Sequence, residues 1–394
     1  MVLNWLSSMQ ILLVTEPGVD GVFRHVEAMA SFLLERGHRI HLAYSDVRGS
    51  DRLTQLVVKV SAAGGKTVNL GVSNAPGPGD VAAMLKLRRL VMEAQPDVIH
   101  AHSSKAGALA RALVWLGVRR PVFYTPHAYY GLSGKSGMKS LLFNTVETVL
   151  GRVGTTINLS AGERAFAANT LKIPQARLRL IANPVDCLRF RPADASRRQE
   201  IRAALGVPAE AILLGSVGRL AFQKDPLTLY RAFAKACQSR PELWLYHLGD
   251  GELSGECAAL ADQLGIRSRI IRQTYLSEPL SFYQALDGMI LTSRYEGLSF
   301  AVLEALACDL PVILSQVPGN NDFTEMGLSH CWSAAKENGD GFADVIGQWV
   351  QDRELVRPSN HREIAESRFS QAACFGAVER EYEQKVVLLP NAVL

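Results

Sequence analysis

The sequence predicts an α/β protein built as two successive domains, each a parallel sheet flanked by helices. Three observations carry this. The chain has 394 residues, more than one ordinary domain holds. Short apolar runs of strand length alternate with stretches of helical apolar spacing, in two separate series. Between the series, Ile181-Ala182-Asn183-Pro184-Val185-Asp186 and Cys187-Leu188-Arg189-Phe190-Arg191-Pro192 carry the proline punctuation of a junction. The expected division is a first domain over 1–185, a second over 186–365, and a closing segment over 366–394.

Gln10-Ile11-Leu12-Leu13-Val14-Thr15 reads as a buried strand, and the loop from Glu16 to Gly21 follows it. Helical spacing runs from Val22 to Arg36, where Gly37 stops it, and Arg39 to Tyr44 is the next strand. Strands continue at Thr67 to Leu70, Asp97 to Ala101 and Val122 to Thr125, with helices around Asp80 to Ala94 and Lys105 to Leu116. In the second series the strands are Leu213 to Gly218, Leu243 to Gly249, Ile270-Ile271, Gly288 to Thr292 and Pro311 to Leu314. Phe369 to Val386 again has helical spacing.

Composition narrows the function classes. No apolar run reaches the roughly 18 to 20 residues that a bilayer span requires, and Met1 to Gln10 lacks the basic region and cleavage site of a leader, so the expected location is cytoplasmic. The six cysteines form no C-x-x-C pair and no zinc spacing, which fits reduced thiols used as small core residues. Charge is unevenly placed: residues 1–186 hold 21 Lys+Arg and 12 Asp+Glu, or +9, and residues 187–394 hold 21 and 26, or −5. The first half is thus suited to an anionic acceptor or to the inner membrane surface, with Arg111, Arg119, Arg120, Lys135 and Lys139 as candidate contacts. The basic residues are dispersed and match no nucleic-acid motif, so no nucleic acid is expected as a partner.

The chemistry concentrates around Ser293-Arg294-Tyr295-Glu296-Gly297-Leu298-Ser299-Phe300, a glycine-bearing turn from strand to helix. Amides at a helix start lack internal partners and sit at the positive end of the dipole, so Leu298, Ser299 and Phe300 form a candidate anion cradle. Glu296 stands at its mouth, and Glu304 lies eight residues on, in an apolar helix where an acid needs a partner or ligand. In Gly218-Arg219-Leu220-Ala221-Phe222-Gln223-Lys224, Arg219 offers a forked guanidinium and Lys224 a point charge at a strand's carboxyl end, together able to neutralise a diphosphate without metal. Leu248-Gly249-Asp250-Gly251-Glu252 is a tight turn, and no strand carries a D-x-D triplet of the metal-dependent transferase kind, so no bound metal is expected. His100-Ala101-His102 and Thr125-Pro126-His127-Ala128-Tyr129 end strands of the first series; as a zinc motif His-x-His lacks a third ligand.

Together these motifs resemble those of the family 4 retaining glycosyltransferases, over nearly the whole chain and most strongly from 181 to 330. The resemblance implies the GT-B fold, two Rossmann-like domains facing a central cleft, with the closing helix crossing back to the first domain. It implies transfer of a hexose-type sugar from a nucleotide-diphosphate sugar to a glycan hydroxyl; the basic first half and the absence of spanning segments add the expectation of a lipid-linked acceptor in surface polysaccharide assembly, with the protein peripheral at the membrane. On the matched positions His127, Arg219, Lys224 and Glu296 are the catalytic candidates. Gly18, Gly21, Arg219, Lys224, Glu296, Gly297, Leu298, Ser299 and Glu304 are donor-binding, Glu304 through the ribose, and His102 and Tyr129 lie on the acceptor side. No cofactor is implied beyond the donor, with UDP expected over GDP. Two departures stand out: the first loop has Gly18-Val19-Asp20-Gly21 where the family has adjacent glycines, and Gln273-Thr274-Tyr275-Leu276-Ser277 replaces the family's Phe-Leu-Gly loop near the base.

Three rivals compete. An NAD-dependent oxidoreductase would carry G-x-G-x-x-G, which both glycine loops lack. A nucleotide-sugar 2-epimerase of the same architecture differs by turning over without acceptor. An inactive nucleotide-sugar-binding subunit is opposed by the presence of His127, Arg219, Lys224, Glu296 and Glu304 together.

Overall fold

The computed structural model of the chain describes residues 8–133, 137–353 and 359–387. These form two compact units, one of 8–131, 137–182 and 374–387, the other of 132–133, 183–353 and 359–373. The division falls at Ala182/Asn183, three residues before the expected 185/186, because the Asn183 amide donates to Leu298 O at 2.8 Å within the second unit. The return to the first unit comes at Cys374 and not at 366. The helix His361–Phe369 still packs on Phe300–Ala307 of the second unit.

The first unit holds seven parallel strands: β1 Gln10–Thr15, β2 Arg39–Tyr44, β3 Thr67–Asn69, β4 Val98–His102, β5 Val122–Thr125, β6 Thr155–Asn158 and β7 Leu178–Leu180. Their spatial order is β3-β2-β1-β4-β5-β6-β7. The order reverses between β1 and β4, where Thr15 pairs with His102. Apolar side chains cover both faces: Ile11, Leu13, Phe23, Val26 and Phe123 on one, Leu12, Val14, Ile99, Leu109 and Leu113 on the other. The first helix, Asp20–Glu35, begins two residues before the expected Val22. The helix expected over Lys105 to Leu116 runs over Ser104–Ala112, then tightens into a 3-10 turn, Leu113–Leu116, ended by Gly117 at φ 83°.

The helix Gln371–Val387 completes this unit. Phe375, Val378 and Tyr382 enter the same core as Ile11, Leu13 and Phe123. Glu379 accepts from Arg36 Nε at 2.8 Å and lies 2.7 Å from His38 Nε2. Burial works to raise the Glu379 carboxyl, but these two partners outweigh it and hold the group below its usual range.

The second unit holds six parallel strands: β8 Ile212–Val217, β9 Leu243–Leu248, β10 Ile270–Gln273, β11 Gly288–Leu291, β12 Val312–Ser315 and β13 Cys331–Ala334, in the order β10-β9-β8-β11-β12-β13. The reversal lies between β8 and β11. In sheets of this kind ligands bind beyond the carboxyl ends at the reversal. The loops after β1, β4 and β5 in one unit, and after β8 and β11 in the other, are therefore the places to look.

Candidate functional site

In the second unit two loops are joined by several bonds. The loop after β8 carries Arg219 to Asp225, and the loop after β11 carries Thr292 to Ser299. Arg294 N donates to Gln223 O at 2.8 Å, Gln223 Nε2 donates to Tyr295 O at 3.2 Å, and Thr292 Oγ1 donates to Asp225 O at 3.0 Å. The Arg294 guanidinium lies 3.2 Å from Asp225 Oδ2 and stacks 4.1 Å over the Phe222 ring. Asp225 adopts φ 48° and caps the following helix, Pro226–Ser239, through its side chain.

That framework holds Lys224 against Glu296. Lys224 Nζ donates to Glu296 Oε1 at 2.5 Å, and Ser293 Oγ donates to the same oxygen at 2.7 Å. The Glu296 side chain is 6% exposed and that of Lys224 24%. Arg219, at the start of the loop that bears Lys224, is exposed. Gly297, Leu298 and Ser299 are buried and lead into the helix Phe300–Ala307, whose first turn has no side-chain cap. Glu304 is buried in that helix and accepts from Tyr283 Oη at 2.5 Å, so the partner its sequence context demands is present.

Glycines keep these loops close. At Gly319, φ +88°, a Cβ would stand 1.8 Å from Gly297 O. At Gly249, φ +142°, it would stand 2.0 Å from Gly218 O, and at Gly251 2.5 Å from Leu220 O. The Gly249-Asp250-Gly251 turn is thus a backbone support for the Arg219 loop, with Leu220 N donating to Asp250 O at 2.9 Å.

In the first unit the strand ends bring histidines together. His102, at the end of β4, and His127, two residues past β5 at φ 57°, are linked Nδ1 to Nε2 at 3.1 Å. His25, from the first helix, meets His127 edge-on with ring centroids 4.7 Å apart and lies 5.3 Å from His102. The His100 ring lies 4.1 Å from that of His102, tilted by 35°, and both its nitrogens are used, toward Tyr382 Oη at 2.5 Å and Thr125 Oγ1 at 2.9 Å. Burial first, then the neighbouring imidazoles, hold His100, His102 and His127 well below the ordinary histidine value, so all three are uncharged at neutral pH. His100-Ala101-His102 is not itself a chelating pair; one nitrogen each of His25, His102 and His127 instead lie within 4.8 Å of one another, and His25, 77 or more residues away in sequence, is not revealed by any local spacing.

Other expected residues take different places. Gly18 is buried, and a Cβ there would meet Leu53 Cδ2 at 2.6 Å and Arg48 O at 2.9 Å, so packing against the loop after β2 already requires glycine. Gly21 sits in the first turn of the first helix. Tyr129 is 2% exposed and donates to Asn158 Oδ1 at 3.1 Å, so its hydroxyl braces the loop from within. Arg111, read as a surface contact, is fully buried: it donates to Glu147 Oε2 at 2.9 Å and lies 3.9 Å over Tyr124. Lys135 lies outside the described residues. Ser293, Asp225, Arg294, Gly319 and His25 were not read as site residues; the carboxyl-end position of the first three was the available signal.

Exposed apolar side chains also gather in the first unit. Trp115, Leu141, Leu142 and Val149 are 62%, 67%, 52% and 49% exposed, and a groove of about 540 Å³ runs among Leu109, Trp115, Leu142, Val146 and Leu150 with Ser104 and Lys105 in its lining. Lys139 is exposed nearby, packing 5.5 Å over Tyr130. No helix among the described residues is long and apolar enough to cross a membrane.

Comparison with known proteins places these features. Residues 197–367 match the family model described as glycosyl transferases group 1, and residues 19–189 match the one described as glycosyltransferase family 4. The chain is 27% identical over 246 residues to the UDP-Gal:alpha-D-GlcNAc-diphosphoundecaprenol alpha-1,3-galactosyltransferase of Escherichia coli, covering 61% of this chain and 63% of that one. It is 32% identical over 162 residues to the lipopolysaccharide core biosynthesis glycosyltransferase LpsE of Rhizobium meliloti (strain 1021), covering 39% and 44%. These matches thus span less than two thirds of either relative. Among solved structures, Anabaena Alr3699/HepE in complex with UDP and glucose superposes with a TM-score of 0.80 at 20% identity, over 95% of this chain and 99% of that one. WaaG, a glycosyltransferase involved in lipopolysaccharide biosynthesis, gives 0.72 at 15% identity over 96% and 99%. At such identities the likeness is one of fold.

Proposed function

We propose, since the chain belongs to the family 4 glycosyltransferases and has their GT-B fold, that it moves a hexose from a nucleotide-diphosphate sugar to a hydroxyl of a glycan acceptor with retention of anomeric configuration. The observation that carries this is the Lys224–Glu296 pair, held between two joined loops at the carboxyl ends of β8 and β11. Arg219 and Lys224 hold the diphosphate, the Leu298 to Phe300 amides add the positive end of a helix, Glu296 orients the sugar and Glu304 takes the ribose. His127 is the group that the family resemblance assigns to the donor sugar. The C1–O bond to the leaving phosphate breaks, the acceptor oxygen bonds to C1 on the same face, and its proton passes to the departing phosphate.

This chemistry needs no metal, because two cationic side chains balance the charge that develops on the leaving group. UDP is the proposed donor nucleotide, supported by the UDP complex of HepE and by the UDP-galactose named for the Escherichia coli relative. That relative's printed acceptor is a diphosphoundecaprenol glycolipid, which supports a lipid-linked acceptor and peripheral membrane work here. Apolar Trp115, Leu141 and Leu142 beside basic Lys139 support the same reading, since apolar and cationic side chains together suit an anionic bilayer surface.

Intact-protein mass spectrometry with a panel of nucleotide sugars, followed by NMR of the product anomer, tests it. Binding of a UDP-hexose and an axial product from an axial donor are expected. Inversion would overturn the mechanism, and turnover of the donor sugar without acceptor would make the protein an epimerase.

A further inference from the structure

We propose that His25, His102 and His127 form a binding site for one divalent transition-metal ion, zinc foremost, with its fourth position open. One nitrogen from each ring lies within 4.8 Å of the other two. Zinc–imidazole bonds of about 2.0–2.1 Å make the edge of a tetrahedral site roughly 3.3 Å, so the 3.1 Å separation of His102 Nδ1 and His127 Nε2 is already near that edge. His102 is fully buried; Nδ1 is its nitrogen toward His127, and with the ring proton on Nε2, which has no hydrogen-bond partner, Nδ1 keeps a lone pair for the ion.

The three ligands come from three elements: the first helix, the end of β4 and the turn after β5. Rigid elements of a packed sheet thus aim all three inward, and nothing in one stretch of sequence announces them. His100 is not a fourth ligand, because both its nitrogens are engaged; its ring packs against His102 at 4.1 Å, tilted by 35°. His127 is only half-buried, which leaves an approach for the ion and room for a water on the open side. All-imidazole sites favour zinc, copper and nickel over magnesium or calcium, so the hard cations that serve many sugar transferases are excluded from this one. The site goes beyond the transfer reaction: filling it engages His127 and removes that imidazole from the donor sugar, making the ion a brake on turnover and not a cofactor.

The test uses the full chain without donor or acceptor, so its outcome is independent of the transfer reading. Zinc is titrated against a chromophoric chelator, and cobalt(II) is added separately as a spectroscopic probe. One equivalent of zinc bound, weakened by about 100-fold or more in His25→Gln and again in His102→Gln, is expected. Cobalt should give the intense visible bands of a tetrahedral nitrogen site with no thiolate charge-transfer band. This second readout needs no variant and stands if either substitution fails to fold. Zinc affinity unchanged in both variants, no binding at millimolar zinc, or a cobalt spectrum of thiolate or octahedral type would each overturn the proposal, leaving the cluster as hydrogen-bonded packing.

Discussion

Lys224 Nζ lies 2.5 Å from Glu296 Oε1, so the two residues assigned to opposite ends of the donor hold each other. In the proposed reaction a diphosphate draws Lys224 off the carboxylate, and the carboxylate then accepts from sugar hydroxyls. Both charges stay matched through that exchange, which keeps the cost of a buried, unpaired Glu296 from opposing donor binding.

Replacing Lys224 by Met should lower kcat/KM by about two to three orders of magnitude, the scale of losing one charge-stabilising group. Because Glu296 is then buried with only Ser293 on that oxygen, the melting temperature should fall as well. Adding Glu296→Gln should restore the melting temperature and leave activity low. Steady-state kinetics beside calorimetry check this; recovery of both together would mean that the pair is purely structural.

Arg219→Ala should separate chemistry from folding more cleanly, since the side chain is exposed. A loss of about 100-fold in kcat/KM with an unchanged melting temperature is expected. EDTA should leave turnover intact in the unmodified enzyme. Strict dependence on added Mg²⁺ or Mn²⁺ would contradict the assignment of leaving-group charge to Arg219 and Lys224.

Gly319→Ala should cost both stability and activity. The added Cβ collides with Gly297 O and forces a residue with side chain into φ +88°. The turn bearing Glu296 must shift, so donor KM should rise even where the variant remains folded at low temperature. A variant with normal KM would show that the turn tolerates displacement.

Asp287 ties the second unit together: Arg198 and Arg353 each donate to its Oδ1 at 2.7 Å, Arg202 to Oδ2 at 3.0 Å and Leu213 N to Oδ2 at 2.8 Å. Burial works to raise this carboxyl, but Arg353, Arg198 and the Leu213 amide outweigh it and hold it below the usual range. The sign follows from linkage: a depressed folded-state value contributes stability that is complete above the unfolded value near pH 4 and is lost as pH falls through the folded value. Denaturant melts between pH 6 and pH 2.5 should show that loss. Asp287→Asn should remove it, at a cost of about 3 kcal/mol at neutral pH.

Liposome sedimentation separates Arg111 from the other candidate membrane contacts. Lys139→Ala and Trp115→Ser should each reduce partitioning onto anionic vesicles while leaving stability unchanged. Arg111→Ala should instead lower stability by about 3 kcal/mol or more, because it strands the Glu147 carboxylate. Equal partitioning of the unmodified protein onto neutral and anionic vesicles would sink electrostatic docking.

Strands such as β1 and β5 were legible to the residue because an uninterrupted apolar run between loop residues has one sensible reading. β6, Thr155-Thr156-Ile157-Asn158, β7, with three residues, and β13, Cys331-Trp332-Ser333-Ala334, carry no such run and were missed. The loops after β8 and β11 were legible through glycine and charge at strand ends. What joins them was not: Arg294 meets Asp225 across 69 positions, and Gly319 is a glycine only because Gly297 O occupies the space its side chain would need. Arg111 misled for the same reason, since a lone arginine reads as solvated until Glu147, 36 residues on, is seen beneath it.

The helix Gln371–Val387 also sets an order of events during synthesis. Phe375, Val378 and Tyr382 belong to the core of the first unit, and full burial of such a side chain contributes roughly 1.5–3 kcal/mol. While the ribosome is still translating the second unit, the first must therefore stand with part of its β1–β5 face bare and with Arg36 and His38 lacking Glu379. The first unit, although synthesised before the second, is thus completed after it, and in nascent form it is a natural client for chaperones until this helix arrives.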